Sequence, residues 1–311
     1  MKNQKTISFA AAAALLFTGI SAGGVIVQGA ETQEAGTYAF ISKSMDNPYN
    51  FAMAEGFQEV IEEAGGECVV NHPLNPYADD QITIIDSLIS QHVDAIAIAA
   101  NDETRLTESL NEAKAAGIQI ITLDSDTDHS ARTTFCNQAD TELIAQTMMD
   151  AVYDISGGEG EYAILSTTTY ATNQNAWLEA HPDLKVICAL TSSGITAAAK
   201  TISEAETSVK ITGLGMPSEL EAYIGTGEDA PCPYAYLWNP KDLGRLAASA
   251  CLSLVSGEIT GQAGESVEAD SIEGSPFEIT ALPDDPEATE ILLGSMTCFT
   301  PDNVSQWAEV F

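Results

Sequence analysis

At 311 residues, of which 45% are apolar, the chain can bury a sizeable core and suits two lobes of about 100 to 150 residues each, which excludes a disordered or fibrous protein. With 11 Lys and Arg against 46 Asp and Glu, the formal net charge is −35, which repels nucleic-acid phosphates and anionic lipid surfaces and so excludes polyanion binding. The same imbalance favours a neutral or cationic ligand over an anionic one.

Lys2 and Lys5 precede an apolar run from Ile7 to Ile20 that ends in small residues, Ser21 to Gly24. This is the layout of a secretory signal. The rival is an uncleaved anchor continuing through Val25 to Val27, but a span needs about 20 apolar residues, so residues 1–30 are expected to be a signal peptide cleaved near Ala22 or Ala30. No Cys precedes Cys68, so the lipid-attachment cysteine of a lipoprotein is missing. The mature protein is expected to be free in the periplasm or secreted.

Tyr38 to Ser42 then reads as a strand and Tyr49 to Ala64 as a helix, with Met53, Phe57, Val60 and Ile61 on one face and Gly65-Gly66 as its stop. The alternation continues with strand Cys68 to Asn71, helix Asp79 to His92, strand Ala95 to Ala100, helix Glu103 to Ala116, and strands Gln119 to Leu123 and Thr133 to Cys136. A helix from Thr141 to Ile155 leads into a second series. Its strands are Tyr162 to Ser166, Val186 to Leu190, Lys210 to Leu214 and Tyr234 to Trp238, and its helices are Asn173 to Ala180, Ile195 to Glu204 and Ser218 to Ile224. A long helix, Lys241 to Val255, and a Gly-, Glu- and Ser-rich stretch from Gly257 to Gly274 follow. Strands alternating with helices give an α/β fold of two lobes, each a parallel sheet flanked by helices.

The six cysteines permit disulfides by their even count. Cys68, Cys136 and Cys188 lie in strand-like stretches and Cys251 in an Ala-rich helix, where a thiol acts as a small buried apolar group. Cys232 and Cys298 are the better candidates for a pair. There is no CxxC, and the four His are scattered, so no zinc site is expected.

In open parallel sheets ligands sit beyond the carboxyl ends of the strands, and the polar clusters fall there. They are Lys43 to Tyr49, including Asn47, with Asn50 just beyond; Asn101; Asp124-Ser125-Asp126; Thr167 to Asn175, including Asn173 and Gln174; and Trp238-Asn239. Asp124 and Asp126 could hold a divalent ion as a DxD pair, could accept hydrogen bonds from vicinal hydroxyls, or, for Asp126, could cap a turn. Tyr49 and Trp238 could be core aromatics or pack on the C–H face of a sugar. Asn173 is a good helix cap, and Lys43 is either a solvated lysine or a donor to a ligand oxygen.

The ordered motifs DNPYNFAMAEGF, DAIAIAANDE, ITLDSDT, ATNQNAW, ITGLGMPSE, YLWNPKDLG and FTPDN resemble the periplasmic sugar-binding proteins of the ribose-binding superfamily. Within it they are similar to the branch of rhamnose-binding and autoinducer-2-binding proteins of ABC transporters. The resemblance implies a type I periplasmic binding fold and an interlobe site containing Lys43, Asp124, Asn173 and Gln174. In ribose-type members the positions of Asn47, Tyr49, Asn50 and Trp238 also line the cleft. It implies a first lobe of residues 37–138 plus 240–285 and a second of 139–239 plus 286–311, joined by three crossing segments. The implied partners are a small sugar and a membrane permease, with no cofactor, no metal and no nucleic acid, and the chain is expected to be monomeric. Rhamnose is the first ligand choice and autoinducer-2 the second.

Relatives continue the ATNQNAW helix and add a strand and a helix before the segment matching HPDLKVICAL, whereas here Ala180 is followed directly by His181. One β-α unit of roughly 35 to 40 residues is therefore expected to be missing from the second lobe, leaving an edge strand uncovered. No GxSxG elbow, P-loop or dinucleotide fingerprint is present, so enzyme chemistry is not expected. A glycan-active enzyme is the remaining rival class.

Overall fold

The computed structural model describes residues 36–45, 47–166, 180–205, 207–227 and 229–311. The expected signal segment and the stretch carrying Asn173 and Gln174 lie outside them.

Five strands, β1 (Thr37–Ile41), β2 (Glu67–Asn71), β3 (Ala95–Ile98), β4 (Gln119–Leu123) and β5 (Thr134–Asn137), pair in parallel in the order β2-β1-β3-β4-β5. Helices α1 (Pro48–Glu63), α2 (Ala78–Gln91) and α3 (Thr107–Ala115) supply the crossovers. Successive strand side chains point to opposite faces. Tyr38, Phe40, Ala95, Ala97, Ile121 and Leu123 therefore pack with Met53 and Phe57 of α1, while Ala39, Ile41, Ile96, Ile98 and Ile120 pack with Ile85 of α2 and Leu110 of α3. Burial on both faces is why these strands read as unbroken apolar runs.

After α4 (Thr141–Ser156), strands β6 (Glu161–Leu165), β7 (Leu184–Ala189) and β8 (Lys210–Gly213) form a second parallel sheet in the order β6-β7-β8, with α5 (Ser192–Glu204) between β7 and β8. Among the described residues β6 is an outer strand of this sheet. The helix expected to reach Ile224 is only the single turn α6 (Pro217–Leu220). Ile224 still donates to the Leu220 carbonyl at 3.0 Å but bridges to Cys232, whose N–H donates to the Tyr223 carbonyl at 3.3 Å, so a neighbouring segment takes the carbonyl that a further helical turn would use. β9 (Ala235–Leu237) touches the edge of β8 through one bridge, Leu214 to Tyr236.

The chain then returns to the first sheet through α7 (Pro240–Ser256), which packs along α1. A Cβ on Gly56 would stand 2.0 Å from the Lys241 carbonyl oxygen, and one on Gly244 would stand 1.9 Å from that of Met53. Only glycines let the two backbones come this close. The short strand β10 (Ser266–Val267) and a hairpin of β11 (Phe277–Leu282) and β12 (Asp285–Leu292) extend the first sheet to eight strands, with β12 parallel to β5. This corrects the expected boundary at residue 285. Ala288 and Ile291 are buried and the strand completes the open flank of β5, so the chain crosses to the second lobe only after Leu292. There β13 (Thr297–Phe299) pairs antiparallel with β9, and α8 (Val304–Ala308) follows.

All six cysteines are free thiols, Cys232 and Cys298 included. Among the described residues no helix is long and apolar enough to cross a membrane, and no three His, Cys, Asp or Glu side chains gather to hold a metal.

Candidate functional site

The close crossing sets the first turn of α7 beside the middle of α1, with Lys241 at Gly56 and Gly244 at Met53. Both start with an Asn cap followed by Pro, the residue best suited to a first helical position. Asn47 Oδ1 accepts from the Tyr49 N–H at 3.0 Å, and Asn239 Oδ1 accepts from the Lys241 N–H at 3.0 Å while its amide donates to Asp242 Oδ2 at 2.7 Å. Tyr49 and Trp238, next to these caps, thereby meet edge to face with ring centroids 6.3 Å apart.

A chain of polar contacts runs from that aromatic pair into the cleft. The Trp238 indole N–H donates to the Tyr49 hydroxyl at 2.6 Å, and the hydroxyl donates to Asp124 Oδ1 at 2.8 Å. The other oxygen of Asp124 lies 3.0 Å from Lys43 Nζ and accepts from the Ser125 hydroxyl at 3.3 Å. Lys43 Nζ also donates to Ser125 Oγ. Burial pushes the Tyr49 phenol well above its ordinary pKa, and the Asp124 charge adds to the shift, so the hydroxyl is a neutral donor.

Asp124 sits at φ 63°, a left-handed conformation uncommon for a residue with a side chain. It is held in a tight turn in which the Ser125 N–H donates to the Leu123 carbonyl at 2.6 Å. Local strain of this kind concentrates at ligand clamps. Here it turns a charged acceptor out of the strand direction toward Lys43 and Tyr49.

The remaining expected residues split between cleft and scaffold. Asn47 reaches the second lobe, accepting from the Ser192 hydroxyl at the start of α5 at 3.5 Å. Asn50 is buried, and its amide donates to the Ser44 carbonyl at 2.9 Å, which pins the loop holding Lys43. The Asn101 amide donates to the Lys43 carbonyl at 2.9 Å. Asp126, far from being an open acceptor, has both oxygens engaged. Arg132 Nε and Nη2 donate to Oδ1 and Oδ2 at 2.6 Å each, and Thr122 Oγ1 and the Thr127 N–H also donate to Oδ1. A bidentate guanidinium on both oxygens leaves no metal-binding DxD pair.

Two scaffold residues were not foreseen. Arg132 is buried and also donates to the Thr289 carbonyl of β12 at 2.9 Å, tying the Asp126 loop to the returning strand. Gln81 is fully buried, donates to the Ser42 and Ala99 carbonyls at 3.0 and 2.7 Å, and accepts from the Asn101 N–H at 2.9 Å. It clamps the ends of β1 and β3 together. Its sequence signal is position: it falls on the apolar face of α2 with Ala78, Ile85 and Leu88, where a polar side chain must find partners.

A two-lobed α/β frame with a charged, pre-arranged acceptor cluster beyond the strand ends defines a solute-binding protein. Residues 38–181 match the periplasmic binding protein domain, and the match ends at the position where the β-α unit is expected to be missing. The structure is similar to that of an ABC transporter solute-binding protein from Clostridium phytofermentas with bound L-rhamnose, at 44% identity and TM-score 0.82, covering 89% of this chain and 99% of that one. LsrB from Clostridium saccharobutylicum in complex with AI-2 shares the fold at 21% identity and TM-score 0.76, over 87% and 99% of the two chains. The fructose import binding protein FruE of Bifidobacterium longum (strain NCC 2705) is 26% identical over 129 residues, 41% of this chain, and the chain spans only 39% of that protein's length. The chain belongs to the ABC-transporter solute-binding proteins of the periplasmic binding protein family, whose members bind solutes rather than turn them over.

Proposed function

We propose that the chain is the exported sugar-binding component of an ABC uptake system, that it carries a deoxyhexose such as rhamnose in the interlobe cleft, and that it delivers this sugar to a membrane permease. The observation that carries this reading is the Lys43–Asp124–Tyr49–Trp238 cluster. An ionised carboxylate accepts from vicinal hydroxyls, an ammonium donates to a ring or carbonyl oxygen, and an aromatic pair behind them provides an apolar wall. The 44% identical relative holds L-rhamnose, which supports the same sugar class here. In this reading Lys43, Asn47 and Asp124 face the ligand, joined by Asn173 and Gln174 from the second lobe, while Asn50, Asn101, Asp126 and Asn239 hold the loops in place. Residues 1–30 act as the export signal.

A thermal-shift panel of L-rhamnose, D-fructose, D-ribose and autoinducer-2 tests the proposal. A ligand that binds only the folded state stabilises it by about 2.7 kcal/mol at a hundredfold excess over Kd. A shift with L-rhamnose larger than with the others is expected. A panel in which no sugar raises the midpoint would overturn the sugar reading, and a shift with autoinducer-2 alone would replace it with signal binding.

A further inference from the structure

Buried polar groups in native structures nearly always have a hydrogen-bond partner, which makes the exceptions informative. Among the described residues two buried side-chain atoms have none, Gln138 Oε1 and Glu219 Oε2. Glu219 has a remedy, because a carboxylate can take up a proton and burial already pushes its pKa up. The Gln138 carboxamide has no such remedy, and a buried acceptor left unpaired is destabilising. Gln138 directly follows β5, at the carboxyl end of the sheet. Leu123 of β4 pairs with Cys136 of β5, so Asp124 and Gln138 leave adjacent strand ends, one and two residues beyond that pair. Cys136 and Ala139 belong to the core that holds Tyr49, Leu123 and Trp238, which puts this segment on the α1 side of the sheet, the side of the cleft cluster. The backbone around Gln138 is fixed. The Asn137 carbonyl accepts from the Leu293 N–H at 2.8 Å and the Asn137 amide donates to Glu290 Oε2 at 2.8 Å, while Asp140 caps α4 by accepting from the Leu143 N–H at 2.7 Å. Between these two anchors the Gln138 oxygen is left without a bond.

We infer that Gln138 is a ligand-contacting residue, whose side-chain oxygen accepts from a hydroxyl of the solute in the cleft beside Asp124. The inference rests on the sugar-binding reading and adds to it a neutral acceptor next to the charged one. A polyol supplies the missing donor, since each hydroxyl can donate to one group and accept from another. One hydroxyl is then held by Asp124 and another by Gln138, which makes the pair a reader of how the hydroxyls are placed on the ring. A backbone already fixed on both sides lowers the ordering cost of that contact.

Calorimetry with L-rhamnose and its monodeoxy analogues, on the wild type and on Gln138→Met, tests the contact. Methionine keeps the length of the side chain and removes the acceptor. L-Rhamnose should bind the variant about 3- to 10-fold more weakly, the range of one neutral hydrogen bond. The analogue lacking the hydroxyl that meets Gln138 should bind both proteins equally, while the other analogues keep the difference. Should another sugar of the thermal-shift panel bind in place of L-rhamnose, the same comparison is made with that sugar. Ligand-free stability by urea unfolding should be unchanged or higher in Gln138→Met, because an apolar group in place of an unpaired buried acceptor removes its desolvation penalty. Equal affinity of the sugar for both proteins, a loss uniform across all analogues, or a marked drop in ligand-free stability would each overturn the contact and leave the sugar reading in place. A wild type that binds no sugar of the panel would instead overturn the sugar reading, and the Gln138 contact with it.

Discussion

Asp124 and Asp126 leave the same strand end with both carboxylates engaged, but by partners of different kinds. Asp126 is gripped on both oxygens by Arg132, itself 3% exposed and bonded onward to the Thr289 carbonyl. Asp124 instead meets Lys43 and Tyr49 at the cleft, with its backbone bent to φ 63° to get there. The difference lies in what surrounds each carboxylate. Asp126 meets a guanidinium that is buried beside β12 and needs a partner. Asp124, 12% exposed, meets an ammonium that is itself 35% exposed and can be solvated. One loop thus carries a carboxylate tied to a buried cation and one tied to a partly exposed cation, and if the proposed function holds, substitutions on its two sides should have opposite signatures.

The largest effect is expected at the anchor. Arg132→Ala leaves the Asp126 carboxylate without its cation and the Thr289 carbonyl without a donor. Breaking a buried pair by removing one partner typically costs about 3 to 5 kcal/mol. Urea unfolding of the ligand-free protein should show a loss of that size. A variant as stable as the wild type would mean that Asp126 is held by Thr122 and Thr127 alone and that the anchor is not one.

At the cleft the signature should reverse. Asp124→Asn removes charge assistance from hydrogen bonds worth about 1.5 to 3 kcal/mol each, so ligand affinity by calorimetry should fall about 10- to 100-fold at 1.4 kcal/mol per decade. Stability without ligand should change little, since Lys43 is partly exposed and can be solvated. Unchanged affinity with a large loss of ligand-free stability would put Asp124 in the same class as Asp126 and dissolve the comparison.

How far the sequence reveals this division can be seen residue by residue. Strands buried on both faces, such as Ala95–Ile98, are plain from their apolar runs, and the strand-end rule points to Lys43, Asp124 and Trp238, which the structure links through Tyr49. What the sequence hides is partnership over long separations. Nothing local joins Arg132 to Asp126 rather than to Asp124, and Thr289 is 157 positions from Arg132. The β11 and β12 hairpin is masked by a polar outer face, since Glu278, Thr280 and Glu290 alternate with the buried Phe277, Ile279 and Ile291. A helix pattern over Ser218 to Ile224 misleads because, although the Tyr223 and Ile224 N–H groups donate back to the Leu220 carbonyl, the Tyr223 carbonyl accepts from Cys232 instead of from a further turn.

Between anchor and cleft stands Tyr49, which touches both the Asp124 carboxylate and the Trp238 indole. Tyr49→Phe keeps the ring and the edge-to-face packing but leaves the buried Trp238 N–H without its acceptor. An unsatisfied buried donor costs about 1 to 3 kcal/mol. A moderate loss of stability together with a moderate loss of affinity is expected, a mixed signature that neither aspartate should show. An effect on affinity alone would instead make Tyr49 a direct ligand contact, with Trp238 free to find another acceptor.

The smallest expected effect concerns pH. His72 closes the back of the Lys43 loop, with its Nδ1 2.7 Å from the Ser42 hydroxyl and its ring 4.6 Å from that of Phe51. Burial lowers its pKa below the ordinary imidazole value. A folded-state pKa below the unfolded one means that the unfolded chain binds more protons in the window between them, so stability rises with pH there. The contribution is present above the unfolded value of about 6.5 and is lost as pH falls from there through the lowered folded value, below which both states are protonated and the slope vanishes. The chain has three other histidines, so the decisive quantity is the difference between the wild type and His72→Gln, which keeps a polar group near Ser42 but cannot take up a proton. Thermal midpoints measured on both sides of the window should show a shallower acid decline for the variant. Equal declines would place the His72 ring in solvent rather than in the wall behind Lys43, and the loop that presents this lysine would then be held by Asn50 and Asn101 without it.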